Sequence, residues 1–354
     1  MPLVPTADRP HKHARIRELL DANGAEALLL TAPENLAWFF DGARATVPTG
    51  GPAVFSALIP RDGTPIVSAL ENESQRLADE EIAGAEIRSV PWFAQVAPAL
   101  EGSPQSVLRD TDAVAAMRAV RAPLLPVERA RYADLGADIA RALTDVLSSA
   151  RPEQSEHELA ADLSRAVVAV GATPHVVLVA GEARGGVQHP LPTAAPLGDR
   201  AMAVIGAVRH GLHLSATRWV RFRGAEREEE ARLRDVEAAA FAATRPGRSL
   251  GEVMDNIAAA YAIHGFGTAS RPAWRSHHQG GPTGYLGRDP KAAPGSDAPV
   301  VAGGAFAWNP WVPRAKIEDT VIVGDAGVEV LSADPRWPTV TVNGLPRPVT
   351  LELI

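Results

Sequence analysis

Two segments of this 354-residue chain repeat one pattern. RPEQSEHELAADLSRAVVAVG begins at Arg151, and RPGRSLGEVMDNIAAAYAIHG begins at Arg245. Both read Arg-Pro-x-x-Ser-x-x-Glu, continue with apolar residues at helical spacing and end on glycine. This order predicts a helix with a capping box at its start and a glycine at its end. Each segment precedes strand-rich sequence, so residues 122–354 are predicted to form two related α+β halves that enclose a site.

Residues 1–121 show a different pattern, in which short apolar strands alternate with helical segments. A stretch with two prolines, Pro123 and Pro126, predicts a stiff connector to the second domain, followed by a long helix over Val127–Ser149. We therefore predict an α/β domain over 1–121 and a second domain over 122–354. The predicted elements of the first domain are strands at Ala27–Leu30, Ala53–Ile59, Pro65–Leu70 and Ala85–Val90 and a helix at Glu71–Glu81, with an Asp-Gly turn at Asp62-Gly63.

Composition excludes several classes of function. The chain has no cysteine, which excludes disulfides, a cysteine nucleophile and thiolate-bound metals. Its net charge is −7, and no basic stripe is present, so no nucleic-acid partner is predicted. No apolar run reaches the roughly 20 residues of a membrane span. The first residues lack the apolar core of a signal peptide, so we expect a cytoplasmic protein with no membrane partner.

One motif is misleading. Gly247-Arg248-Ser249-Leu250-Gly251 matches the G-x-S-x-G elbow of serine hydrolases. That elbow requires a strand directly before it, whereas a helical segment precedes this one. Ser249 also has a repeat partner in Ser155, so both serines are predicted to cap helices.

Four stretches carry the residues that favour chemistry: 187–193 around His189, the hairpin 202–220 that closes with Thr217-Arg218, 274–285 with its histidine pair, and 306–320. Their order, together with the repeat and the connector, resembles the creatinase, prolidase and aminopeptidase P superfamily. The resemblance covers nearly the whole chain. It implies an α+β fold: a creatinase-type α/β N-terminal domain and a C-terminal domain with the pseudo-twofold "pita-bread" fold of the M24 peptidases.

Metallopeptidases of that superfamily hold two metal ions with two aspartates, one histidine and two glutamates. The resemblance places the two aspartate positions on Val204 and Ser215, and the first glutamate position on Asn309. His278 and Glu318 correspond to the histidine and the second glutamate. Valine donates no lone pair, and serine and asparagine are weak neutral ligands. We therefore predict no metal ligands and no cofactor.

The resemblance also implies a precedent for chemistry without metal. Creatinase, in the same superfamily, hydrolyses a C–N bond without metal and uses a histidine for proton transfer. His189 occupies the corresponding loop. A histidine near its ordinary pKa exchanges protons at neutral pH. His189, His278 and Glu318 are therefore the candidate catalytic residues, and we predict that they face one cavity.

Further residues are predicted to contact substrate. For each of these residues a structural role is the alternative: Arg218 is equally explained as an ion-pair partner of Glu318 or Asp319, and each tryptophan as core packing. Neighbouring side chains diverge, so only one of His277 and His278 is expected to face the cavity. The predicted substrate-binding residues are His277, Arg218, Asn309, Trp308, Trp274 and Tyr285.

The sequence thus favours a metal-independent, creatinase-like hydrolase or lyase that acts on a C–N bond of a small amide or amino-acid-derived substrate. The first alternative is a non-catalytic pita-bread protein that binds a small molecule, with Trp308 and Trp311 filling its cavity. The second is an Xaa-Pro aminopeptidase with a mononuclear metal site. The two-domain resemblance also implies a homodimer.

Overall fold

The computed structural model describes residues 4–94, 96 and 104–353 of the chain. These residues divide into two compact units, and the division falls after Arg131. His210–Leu212 is grouped with the first unit. The sequence instead places a domain boundary at residue 121, where the helix Val114–Arg121 ends. Pro126 does not lie in an extended connector as expected, because it is the first residue of the helix Pro126–Leu147, a position where its missing N–H is not needed.

The first unit contains a five-stranded mixed sheet in the order β4-β3-β2-β1-β5. The predicted strands at 27–30, 53–59, 65–70 and 85–90 are confirmed to within two residues. Its elements are α1 (Arg9–Asn23), β1 (Ala27–Leu30), α2 (Pro33–Phe39), β2 (Phe55–Pro60), β3 (Ile66–Leu70), α3 (Glu71–Arg76, extended by a wide turn over Leu77–Glu81), β4 (Glu86–Val90), β5 (Val107–Arg109) and α4 (Val114–Arg121).

The second unit is built around two four-stranded sheets in the orders β17-β8-β7-β6 and β14-β13-β10-β9. This mixed α and β architecture confirms the predicted fold class. Its elements are α5 (Pro126–Leu147, the first residues of which precede the division), α6 (Glu156–Ala169), β6 (Thr173–Gly181), β7 (Arg200–Arg209), β8 (Leu212–Arg221), α7 (Glu228–Ala243), α8 (Leu250–Ile263), β9 (Gly280–Thr283), β10 (Ala305–Trp308), β11 (Trp311–Val312), β12 (Ala315–Lys316), β13 (Asp319–Gly324), β14 (Gly327–Val330), β15 (Thr339–Val342), β16 (Leu345–Pro348) and β17 (Leu351–Glu352).

The predicted repeat is present in the structure. Both α6 and α8 begin with a complete capping box, Ser155 with Glu158 and Ser249 with Glu252. Each cap is also tied to a later segment of its own half, because Ser155 pairs with Pro196 and Ser249 with Pro299 in isolated β-bridges. Ser249 is therefore a helix cap, and the serine-hydrolase motif is confirmed as misleading.

Two glycines of the second repeat permit a close approach of strands. Gly280 and Gly281 lie on β9, opposite Trp308 and Ala307 of β10, and both have positive φ, 113° and 141°. A Cβ on Gly280 would lie 2.1 Å from the carbonyl oxygen of Ala307, which no atom tolerates. Only Gln279 separates these glycines from His277 and His278, so the glycines restrict where the histidine pair lies.

No helix in the described residues is long and apolar enough to cross a membrane.

Gly280→Ala is expected to lower the free energy of unfolding by at least about 3 kcal/mol, because it adds an overlap with β10 to the cost of positive φ. Gly224→Ala is the matched control, since Gly224 has φ of 76° and open space around it. There only the cost of positive φ, about 1–2 kcal/mol, is expected. Urea unfolding measures both, and equal losses would contradict the packing role assigned to Gly280.

Candidate active site

The two sheets of the second unit meet where β8 lies beside the start of β13. Thr217 pairs with Glu318 in an isolated bridge, and its N–H donates to the Glu318 carbonyl at 2.9 Å. Two residues away, the Thr320 hydroxyl accepts from the Ser215 N–H and donates to the Ser215 carbonyl, both at 2.9 Å. These contacts bring the predicted hairpin 202–220 and the stretch 306–320 together.

Glu318 is the centre of a buried ion-pair cluster. Its Oε1 accepts from the Arg288 guanidinium at 2.7 Å, and its Oε2 accepts from the Thr217 hydroxyl at 3.0 Å and from the Lys316 ammonium. Burial alone would raise the pKa of Glu318, but Lys316 and Arg288 outweigh that effect and lower the pKa to about 2. The carboxylate is therefore ionised, and both of its oxygens are already engaged.

Lys316 and Arg288 were not among the residues predicted from sequence. Lys316 is 5% exposed, and its Nζ also donates to the Thr217 hydroxyl at 2.8 Å. One signal was available, since Lys316 is one of only three lysines and lies two residues before Glu318, on the same side of an extended chain. Arg288 is thirty positions away from Glu318 in the sequence, and no local pattern connects the two residues.

Three histidines form a second cluster, which we call the histidine cluster: His189, His277 and His278. One ring nitrogen of each lies within 4.8 Å of those of the other two. The Nε2 atoms of His189 and His277 are 3.1 Å apart, and the rings of His277 and His278 are stacked at 4.5 Å. The expectation that only one of His277 and His278 faces the site is wrong. Neighbouring side chains point to opposite faces only in a regular strand, and His277 and His278 lie before β9 begins.

The hydrogen bonds of the histidine cluster define its protons. Nδ1 of His277 lies 2.6 Å from the carbonyl oxygen of His278, and because a carbonyl only accepts, this nitrogen carries the proton. The Nε2 of His277 therefore has a lone pair, which accepts from the Nε2–H of His189. That leaves the Nδ1 lone pair of His189 available, and the ring of His189 is exposed.

The surroundings favour neutral imidazoles. Burial and the charge of Lys316 lower the pKa of His277 to about 4, and burial and His277 lower the pKa of His278 to about 3. Partial loss of hydration and the charge of Lys316 also lower the pKa of His189. The charge of Glu318 acts on all three rings in the opposite direction, so the two clusters are near enough to influence each other electrostatically.

The predicted substrate-binding residues have different surroundings. Trp308 has no exposed surface and lies in the apolar core beside Phe306, which favours a structural role for it. Trp274 is half-buried at the edge of the same core, and Tyr285 is buried. Asn309 is 3% exposed, and its side-chain oxygen has no hydrogen-bond partner among the described residues.

Arg218 lies in a buried network of charges. It donates to Asp319 at 2.8 Å and to the Ser332 carbonyl at 2.5 Å. Asp319 is also paired with Arg347, which in turn donates to Glu237 at 2.8 Å. Of the two roles considered for Arg218, this geometry favours the structural ion pair.

The superfamily's pair of metal ions does not fit these residues. Val204 lies in a buried apolar cluster with Leu178, Ala180, Met202 and Trp219. Glu318 is the only carboxylate at the five positions that the sequence resemblance assigns to metal ligands, and Lys316 and Arg288 already neutralise it. Two divalent ions at this place would have one shared carboxylate and would be repelled by two fixed cations.

Comparisons with known proteins identify the family to which the chain belongs. The sequence profile of metallopeptidase family M24 matches residues 133–325, more than half of the chain, so the chain belongs to this family. No curated protein matches the chain.

Solved structures with the same fold cover more than nine-tenths of the chain. A prolidase from Pyrococcus horikoshii OT3 is 16% identical, with a TM-score of 0.73 over 92% of this chain and 99% of that one. Dipeptidase PepE from Mycobacterium ulcerans is 20% identical, with a TM-score of 0.72 over 98% and 99%. An Xaa-Pro dipeptidase from Bacillus anthracis is 17% identical, with a TM-score of 0.72 over 98% and 100%. At these identities the likeness establishes the fold.

Arg218→Ala is expected to destabilise the protein by about 3–5 kcal/mol, because it leaves Asp319 buried with one cation fewer. Arg223→Ala, just beyond the same strand, is the control. Its side chain is 80% exposed and lies 3.8 Å from Asp199, so a loss of less than about 1 kcal/mol is expected. Denaturant unfolding of both variants measures the difference, and an Arg218→Ala protein of normal stability would favour the substrate-binding role.

Proposed function

We propose that this M24 protein is a metal-independent hydrolase or lyase that cleaves a C–N bond in a small amide or amino-acid-derived substrate. The observation that carries the proposal is the hydrogen bond between His189 and His277 at 3.1 Å, beside the ion-pair cluster of Glu318. A proton-transfer group needs an accessible lone pair and a partner that orients its ring. His189 has both, because its ring is exposed and His277 accepts from its Nε2–H.

In the proposed hydrolysis, the Nδ1 of His189 takes a proton from a water molecule as the water oxygen bonds to the substrate carbon. The resulting imidazolium is stabilised by its Nε2–H donated to His277. His189 then returns the proton to the nitrogen that leaves when the C–N bond breaks. The buried Nδ1–H bond from His277 to the His278 carbonyl keeps the accepting ring in the required tautomer.

For Glu318, which the sequence placed among the candidate catalytic residues, we propose an indirect role. Both of its oxygens accept hydrogen bonds, so it has little capacity to bind substrate or activate water directly. We propose that Glu318 positions the Lys316 ammonium and the Arg288 guanidinium, whose fixed positive charges stabilise negative charge developing on the substrate.

A binding protein is the second candidate, and Trp311 favours it. Trp311 is buried and stacked on His277 at 6.1 Å, whereas Trp308 lies in the apolar core. A panel of small amides, ureas, amidines and amino-acid derivatives separates the two functions. Release of ammonia or amine supports the hydrolase, and saturable binding without turnover supports the binding protein.

His189→Ala is expected to lower turnover of the substrate found in this way by roughly 10²–10⁴-fold, the usual contribution of acid–base catalysis. The melting temperature is expected to change little, since the ring is exposed. His175→Ala is the matched control, because His175 is paired with the ring of His213 at 5.0 Å and lies outside the histidine cluster. Full activity of the His189→Ala protein would contradict the proton-transfer role.

Treatment with a chelator tests the metal independence separately. Protein dialysed against EDTA is expected to keep its full turnover, because the donor set at the superfamily's metal positions does not suit two ions. Loss of turnover that is restored by Mn²⁺, Co²⁺ or Zn²⁺ would show that the reaction depends on a metal.

A further inference from the structure

We propose that the histidine cluster is also a binding site for one divalent cation of borderline softness, with Zn²⁺ as the reference ion, and that the bound ion inhibits the enzyme. The binding is independent of the proposed function, whereas the inhibition rests on it. This site would use imidazoles only, and it differs from the carboxylate-bridged pair of ions implied by the superfamily resemblance.

The first support is the spacing of the nitrogens. Two imidazoles on one tetrahedral zinc ion, with bonds of about 2.0–2.1 Å, place their nitrogens about 3.3 Å apart. The Nε2 atoms of His189 and His277 are 3.1 Å apart. The three ligand nitrogens lie within 4.8 Å of one another. Ring rotations that bring these nitrogens closer together by no more than about 1.5 Å therefore place all three around one ion.

The second support is the orientation of the lone pairs. A histidine that binds a metal commonly donates its other ring N–H to a carbonyl, which fixes the ligating nitrogen. His277 has this arrangement, since its Nδ1–H donates to the His278 carbonyl and its Nε2 is left as a ligand. The Nδ1 of His278 is buried and has no hydrogen-bond partner among the described residues.

The charges nearby select the type of ion. The charge of Lys316 acts on His277 and that of Arg288 acts on His278, and Glu318 compensates only one of these two cations. A hard cation such as Mg²⁺ prefers oxygen ligands and gains little from imidazole, so it does not overcome this repulsion. Zn²⁺ binds imidazole strongly enough to do so.

When Zn²⁺ binds the Nε2 lone pair of His277, the proton of His189 moves from Nε2 to Nδ1, so that Nε2 of His189 also becomes a ligand. This breaks the hydrogen bond between the two rings and removes the Nδ1 lone pair of His189, which stops the proposed proton transfer.

Equilibrium dialysis of EDTA-treated protein against Zn²⁺ alone tests the binding. One ion per chain is expected, with no competition from Mg²⁺ at equal concentration. His189→Ala and His277→Ala are each expected to raise Kd at least about 100-fold, above the loss seen for altered outer-shell partners. His175→Ala is expected to bind as the unaltered protein does. His189 is exposed, so His189→Ala remains informative if His277→Ala does not fold.

Wild-type Zn²⁺ affinity in the His189→Ala protein, or equal competition by Mg²⁺, would overturn the site. The activity assay then separates the two proposals. Inhibition by Zn²⁺ that EDTA reverses is the expected result. Binding accompanied by increased turnover would overturn the inhibition and the metal-independent mechanism while leaving the site in place.

Discussion

The second unit depends on one buried carboxylate and its partners. Glu318 lies where the two sheets meet, and a carboxylate removed from water is tolerated only when its charge is compensated and its oxygens accept hydrogen bonds. Lys316 on β12, Thr217 on β8 and Arg288 in the segment between β9 and β10 together meet both conditions. The same contacts therefore join the halves of the repeat and set the charge beside the histidines.

This arrangement changes what an M24 fold is able to do. An ammonium and a guanidinium attached to the chain supply positive charge without an open coordination position for water. The ionised water of a metallopeptidase then needs a substitute, and a neutral imidazole with a free lone pair is one. In the function that we propose, the ion-pair cluster and the histidine cluster are complementary: one stabilises charge, and the other moves protons.

Local geometry explains why the framework was predictable. A capping box joins a serine to a glutamate three residues later, so Ser155 with Glu158 and Ser249 with Glu252 are readable directly from the chain. The positive φ of Gly171 and Gly265, both 73°, follows from the same helix-ending rule. The apolar strand at Ala27–Leu30 and the turn at Asp62-Gly63 obey equally short-range rules. Two repeats of such signals, in order, were sufficient for the fold class.

The sequence by itself determined which residues stand at the positions that the resemblance assigns to the metal ligands, since Val204, Ser215 and Asn309 are not carboxylates whatever the fold does with them. Only the tertiary structure decided which charges meet. Arg288 reaches Glu318 across thirty residues, and Arg218 was assigned to Asp319 only by the packing of β8 on β13. The stacking of His277 on His278 depends on an irregular backbone before β9, which the tight approach of Gly280 to β10 holds in place. Side-chain direction in such a segment follows from long-range contacts, and no periodicity in the sequence encodes it.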